Sequence, residues 1–143
     1  MQVHQILKMK APGVVTVPPT MTVAEVSALM SSRRIGAVVV SKDGKKVLGI
    51  LSERDIVREL GNHGDGCLIA KVADIMTMNP VGCSRDDTAD QLMEVMTNGR
   101  FRHVPVIEDG EMIGLISIGD VVKARLSELA MEKEALTGMI MGN

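Results

Sequence analysis

Two short segments set a hydroxyl and a carboxylate at the same spacing. Gly49-Ile50-Leu51-Ser52-Glu53-Arg54-Asp55 returns as Gly114-Leu115-Ile116-Ser117-Ile118-Gly119-Asp120. Each reads as an apolar strand turning directly into a helix, with Ser at the helix start and Asp three residues on. An ionised Asp only accepts hydrogen bonds, so it can take both from the cis-diol of a ribose. The helix start has unbonded N–H groups and a partial positive charge, which suit a phosphate, and the Ser hydroxyl adds a donor. The same spacing is also that of a capping box, in which Ser and Asp serve only the helix end. Thr22/Glu25 and Thr88/Gln91 repeat that device, so spacing alone favours capping. Both Ser segments use Asp where the Thr boxes use Glu and Gln. The shorter side chain is expected to reach back less well, which tilts the reading towards binding.

Cations near these segments are unequal. Arg54 falls on the first turn of its helix, and Arg102 and His103 lie on a strand of the second half. The first-half counterparts of that pair are Gly36 and Ala37. Arg102 stays charged and forks two donors, the chemistry of a phosphate partner, with a surface ion pair as the alternative. The second segment is therefore expected to bind an anionic ligand more tightly.

The elements that must hold these groups come as an internal repeat. Thr22-Val23-Ala24-Glu25-Val26 matches Thr88-Ala89-Asp90-Gln91-Leu92, and Val38-Val39-Val40 matches Val104-Pro105-Val106, 66 positions apart. One residue drops out after Gly44 and Gly110, so Gly49 and Gly114 are 65 apart. In the first copy, Val14–Val17 predicts a strand ended by Pro18-Pro19, and Thr22 opens a helix with Val23, Val26, Leu29 and Met30 on one face. Ile35–Val40 predicts a buried strand, Lys42-Asp43-Gly44-Lys45 a hairpin turn, Val47–Leu51 the return strand, and Ser52 a helix to about Leu60. The glycine-rich Gly61–Gly66 predicts a surface loop, and Leu68–Met76 a helical lead-in echoing Ile6, Leu7 and Met9. The second copy places Val81 on a short strand, a helix from Thr88, a strand at Arg102–Ile107, a turn at Glu108-Asp109-Gly110 and a return strand at Met112–Ile116. The last helix starts at Ser117 and meets no Gly or Pro between Asp120 and Gly138. Its Leu126, Leu129, Leu136 and Ile140 form an apolar stripe, read either as folded back on its own domain or as a dimer contact. The expected fold is α/β: two pseudo-symmetric strand-helix-strand-strand-helix repeats packed as one module. The first spans 6–62 and the second 72–126, with a connecting loop at 63–71 and a C-terminal helix extension at 127–143.

Composition excludes several classes. The chain has 143 residues with a net charge of -2 and a pI near 5.9, which argues against nucleic-acid or membrane partners. No apolar run approaches a membrane span, and Met1–His4 lacks the pattern of a signal peptide, so the expected location is cytoplasmic. Cys67 and Cys83 are read as reduced thiols, and neither they nor His4, His63 and His103 have metal-ligand spacing. Phe101 is the one aromatic residue, so twelve methionines and the aliphatic residues must fill the core. A flat ligand would be held between aliphatic walls.

These features together resemble a tandem of cystathionine-β-synthase (CBS) domains, known as a Bateman module, over residues 6–126. The residues that carry the resemblance are the two Gly-apolar-apolar-Ser-x-x-Asp segments, the Arg102-His103-Val104-Pro105-Val106 strand and Ala73-Asp74-Ile75-Met76-Thr77. The segment forms look especially like small stand-alone bacterial CBS-pair proteins. The resemblance implies a non-enzymatic regulatory or sensor module that binds an adenine nucleotide, AMP or NAD(H), in the cleft between repeats. Asp55 and Asp120 would hold ribose hydroxyls, with Arg54 nearby. Ser52, Ser117, Arg102 and His103 would meet phosphate. The backbone around Thr16-Val17 and Val81-Gly82 would flank adenine, and Ile35, Val38 and Pro105 would be its aliphatic walls. The ligand would be regulatory, with no catalytic cofactor. A homodimer is implied, and with no catalytic or transporter domain in these residues, any regulated protein would be a separate chain. Two alternatives remain: an enzyme acting on a nucleotide, for which His103 and the two Asp residues are the candidates, and a purely structural dimerisation module.

Overall fold

The structure is a computed structural model that describes residues 1–141. In chain order, its elements are α1 (Val3–Lys8), β1 (Thr16–Val17), α2 (Val23–Arg33), β2 (Ala37–Val40), β3 (Gly49–Ser52), α3 (Glu53–His63), a 3-10 segment (Gly64–Ile69), α4 (Val72–Ile75), β4 (Thr77–Met78), α5 (Ala89–Gly99), β5 (His103–Glu108), β6 (Glu111–Ser117) and α6 (Ile118–Ile140). The fold is mixed α/β and repeats its plan, as expected. α3 extends to His63 rather than ending near Leu60, and the predicted lead-in from Leu68 is one short helix preceded by the 3-10 segment.

The chain divides into two compact units. One comprises Gly13–Val81 with Glu108–Ile113; the other comprises Met1–Pro12, Gly82–Ile107 and the chain from Gly114 on. The lead-in segments are thus exchanged. α1 precedes the first repeat in sequence but packs with the second, and α4 precedes the second repeat but packs with the first. Glycines at the two motif starts make room for this. A Cβ on Gly49 would lie 2.6 Å from the Met76 sulfur and 2.7 Å from the Thr77 carbonyl oxygen, and one on Gly114 would lie 2.5 Å from Leu7 Cδ2.

In the first-repeat unit, the sheet runs β1-β2-β3-β4, with β1 parallel to β2 and the other pairs antiparallel. Its core joins Val17, Val38, Val40 and Leu51 to Val23, Val26 and Met30 of α2 and to Val72 and Ile75 of α4. β-Branched residues suit these strands, and the spacing of the α2 residues puts them on one helical face. In the second-repeat unit, Val104, Val106 and Ile116 pack on Ala89, Leu92 and Met96 of α5, Val121 and Ala124 of α6, and Val3 and Ile6 of α1.

Two local expectations need correction. Val81 is not on a strand; it is half-exposed, after an Asn79-Pro80 step in which Asn79 has φ 48° and Pro80 offers no N–H. The parallel pairing falls at Cys83, opposite Val106, as Val17 lies opposite Val40. Both positions are 66 residues from their counterparts. Setting Val81-Gly82 against Thr16-Val17 slips the register by one, which in a strand exchanges the two faces. The second correction concerns the turns. The turn expected at Glu108-Asp109-Gly110 forms, with Asp109 and Gly110 at its corner at φ 53° and 78°, both positive as a type I′ turn requires. Lys42–Lys45 instead belongs to a wider loop, because the extra residue there lets the Asp43 carboxylate accept the Lys45 and Lys46 N–H groups at 2.8 and 2.9 Å. These bonds lower the Asp43 pKa to about 2.

Candidate functional site

Each Ser-x-x-Asp segment opens a helix and closes a capping box. Ser52 N–H donates to Asp55 Oδ2 at 2.9 Å, and Ser117 N–H donates to Asp120 Oδ2 at 2.8 Å. The Thr22 and Thr88 boxes are present as well. The expectation that Asp reaches back less well than Glu is wrong here: Glu25 sits 3.4 Å from its N–H target, farther than either Asp. The extended N-cap backbone, with ψ near 163° in both Ser residues, brings the N–H within reach of the short side chain.

The helix start is also tied to the strand that flanks it. Glu53 N–H donates to the Gly36 carbonyl at 2.9 Å, and Ile118 N–H donates to the Arg102 carbonyl at 2.8 Å. These are register equivalents, so each unit fixes its clamp against the start of its strand in one way. In the second-repeat unit this anchors the backbone of Arg102, just before His103, at the first turn of α6. Gly119 follows there with no side chain over its N–H, where α3 carries Arg54.

The two carboxylates differ in what holds them. Asp55 is buried, at 5% exposure. Its Oδ2 accepts from both the N–H and the hydroxyl of Ser52, the latter at 3.2 Å, and its Oδ1 pairs with Arg58 Nη2 at 3.0 Å on the same helix. Asp120 is half-buried, and its partner comes from the exchanged lead-in: Lys10 Nζ lies 2.7 Å from Oδ2 and also donates to the Leu115 carbonyl. The Ser117 N–H and Lys10 contacts both fall on Oδ2. Ser117 Oγ accepts from Asp120 N–H at 3.1 Å, and the Ser52 hydroxyl donates to Asp55 Oδ2 at 3.2 Å. Burial pushes the Asp120 carboxyl up, but the Lys10 ammonium and the Ser117 bonds outweigh it and hold the carboxyl below its ordinary value.

The remaining sequence-predicted residues are placed as follows. In the first-repeat unit, Thr16 and Ile35 are half-buried, Arg54 is exposed, and Val17 and Val38 put their side chains into the core. Val81 is at that unit's chain end. In the second-repeat unit, His103 and Ser117 are half-buried, Arg102 and Gly82 are exposed, and Pro105 is buried. Gly82 also borders a cavity of about 300 Å³ lined by Cys83, Asp87, Gln91, Val95 and Val104. Burial, with the Asp87 charge adding to it, pushes the Cys83 thiol up to about 12, so it is protonated and unreactive at neutral pH. No group of metal-ligating side chains forms among the described residues. Among them, no helix is long and apolar enough to cross a membrane.

Lys10 is the residue that sequence reasoning missed. It lies in an apolar lead-in with no motif of its own. Its register counterpart 66 positions on is Met76, and that change from apolar to charged was the available signal.

The CBS domain family profile matches residues 5–62 and 72–127. A CBS-domain containing protein from Agrobacterium tumefaciens superposes with a TM-score of 0.84 at 48% identity, covering 87% of this chain and 99% of that one. A CBS domain protein from Pyrobaculum aerophilum, solved complexed with AMP, gives 0.77 at 31% identity over 92% of this chain and 99% of its own. A mitochondrial CBS domain-containing protein of Arabidopsis thaliana is 38% identical over 125 residues, 85% of this chain; the chain spans only 61% of that relative's length. Two profile matches, each ending on a Ser-x-x-Asp helix, show that the chain belongs to the CBS domain family and carries two copies of its repeat.

Proposed function

We propose that the chain is a non-enzymatic sensor module that takes an adenine nucleotide, AMP or NAD(H), at the Asp120 clamp. The observation that carries this reading is the state of Asp120: ionised, half-buried, and bonded to Ser117 and Lys10 through one oxygen. A ribose diol would bind the carboxylate, and the phosphate would meet the α6 start, Ser117, Arg102 and His103. The relative solved with AMP supports the choice of ligand class. Occupancy would act by differential affinity for two arrangements of the chain or of its assembly. The proposed assembly is a cytoplasmic homodimer, and the regulated protein a separate chain.

A second reading applies to the first copy. Asp55 is buried with both oxygens bonded, which favours a helix cap over a ligand site there. The test is titration calorimetry of the full chain, stripped of carried-over nucleotide, with AMP and NAD. One equivalent bound per chain, lost in Asp120→Ala, is expected. No heat with either ligand would overturn the proposal, and ligand recovered chemically altered after long incubation would favour an enzyme.

A further inference from the structure

Lys10 occupies the group that the ribose would need. Its ammonium is 2.7 Å from Asp120 Oδ2 and also donates to the Leu115 carbonyl. The pair is sheltered, with side-chain exposures of 30% for Lys10 and 18% for Asp120. A sheltered ammonium that loses its counter-charge is costly to leave unpaired. A diol that draws both Asp120 oxygens therefore either displaces Lys10 or shares the carboxylate with it. A neutral nucleoside offers nothing in exchange. A nucleoside 5′-phosphate carries an anion on the same ribose, within reach of a lysine side chain.

The geometry points to Lys10 as a specificity-determining residue that makes the Asp120 clamp select nucleoside 5′-phosphates over neutral nucleosides. The inference rests on the nucleotide reading above. In the apo chain, Lys10 neutralises Asp120 and keeps the half-buried carboxylate compensated. On binding, the ammonium passes from carboxylate to phosphate, and no net charge is stranded. Neutral adenosine breaks the ion pair without replacing it, and an adenosyl ligand with a cationic 5′ group adds repulsion as well. The first-repeat unit has no such device: Met76 holds the register position of Lys10 and packs at Gly49, and Asp55 takes its cation from its own helix.

The same register supplies the test. Lys10→Met installs the residue that the other copy carries, and Lys10→Arg keeps the charge. Calorimetry of the stripped full chain with adenosine and with AMP reads two affinities per variant. In Lys10→Met, the expected changes have opposite signs. AMP binding weakens on the order of tenfold, the scale of one lost charged hydrogen bond, while adenosine binding strengthens. Lys10→Arg keeps the wild-type preference for AMP. A purely structural lysine would shift both ligands in the same direction, and that result overturns the inference while leaving the nucleotide site intact. An unchanged AMP-to-adenosine ratio overturns it equally. If the wild-type chain binds neither ligand, or Asp120→Ala binds both as well as wild type does, the nucleotide reading falls and the inference falls with it. Thermal melts of each variant, overlaid on wild type, separate a lost fold from a lost preference.

Discussion

Arg58 Nη2 lies 3.0 Å from Asp55 Oδ1, one helical turn away, and completes the bonding of a carboxylate that is almost wholly buried. Asp120, its repeat equivalent, draws its cation, Lys10, from another segment. The two copies of one motif are therefore predicted to respond differently to the same change. Asp55→Ala leaves the Ser52 N–H and the Arg58 guanidinium without their acceptor. It should cost about 0.5–2 kcal/mol of stability, the range of a lost helix cap, with little effect on nucleotide affinity. Asp120→Ala should lose nucleotide binding at least tenfold, by the usual scale of hydrogen bonds to a charged group. Urea unfolding and calorimetry on the same two proteins check both halves; a larger affinity loss in Asp55→Ala would reverse the assignment.

The motif glycines carry a separate prediction about folding. Gly49 faces the backbone of Thr77, which cannot move without disturbing the pairing of β3 with β4. Gly114 faces the end of the Leu7 side chain, which can change rotamer. Gly49→Ala is expected to destabilise by about 1–3 kcal/mol, as overpacking does, and Gly114→Ala by clearly less. Denaturant midpoints with unchanged slopes would show it.

Those glycines also mark how far sequence reasoning reaches. The repeat register, the four capping boxes and the Asp109-Gly110 corner are local patterns, fixed by side-chain chemistry within a few residues. They were legible, and the Cys83–Val106 pairing even obeys the 66-residue offset that was missed by one at Val81. The exchange of lead-in segments was not legible. Leu7 meets Gly114 across more than a hundred residues, and nothing near either one states the pairing. Lys10 was hidden for the same reason: its role exists only once α1 packs with the second repeat. The Asp43 loop departed from the hairpin because one inserted residue let a side chain replace a backbone turn.

The Lys10–Asp120 pair predicts a pH response with a definite sign. The folded Asp120 pKa lies below its ordinary value, which is about 3.9 in an unfolded chain. Its contribution to stability is therefore complete above that value and is lost as the pH falls through the folded pKa. Burial alone acts in the opposite direction. In Lys10→Met the upward push of burial then meets only the Ser117 bonds, so the Asp120 pKa should rise relative to wild type. Carboxyl chemical shifts followed by NMR through acid titration measure this directly. An Asp120 titration unmoved by the substitution would mean that the ion pair does not persist in solution.

The outer half of α6 supports a last prediction. Val121 and Ala124 are buried in the second-repeat core, and Arg125 fastens the same stretch through Asp90 at 3.1 Å and Glu128 at 2.8 Å. Beyond that anchor, Leu129 and Leu136 are one heptad apart and 49% and 60% exposed, and Ile140 is 84% exposed. A helix folded back on its own unit would bury this stripe, so the first of the two sequence readings does not hold for the described residues. Exposed apolar stripes of this kind mark interaction surfaces, and in the proposed homodimer a second copy would cover it. Light scattering on the eluted wild-type chain should then give twice the 15.3 kDa chain mass. Leu129→Glu with Leu136→Glu should halve it while far-ultraviolet circular dichroism keeps its helical signal, because neither side chain supports the core of its own unit. A wild-type chain that elutes at single-chain mass at tens of micromolar would remove the stripe as a dimer contact.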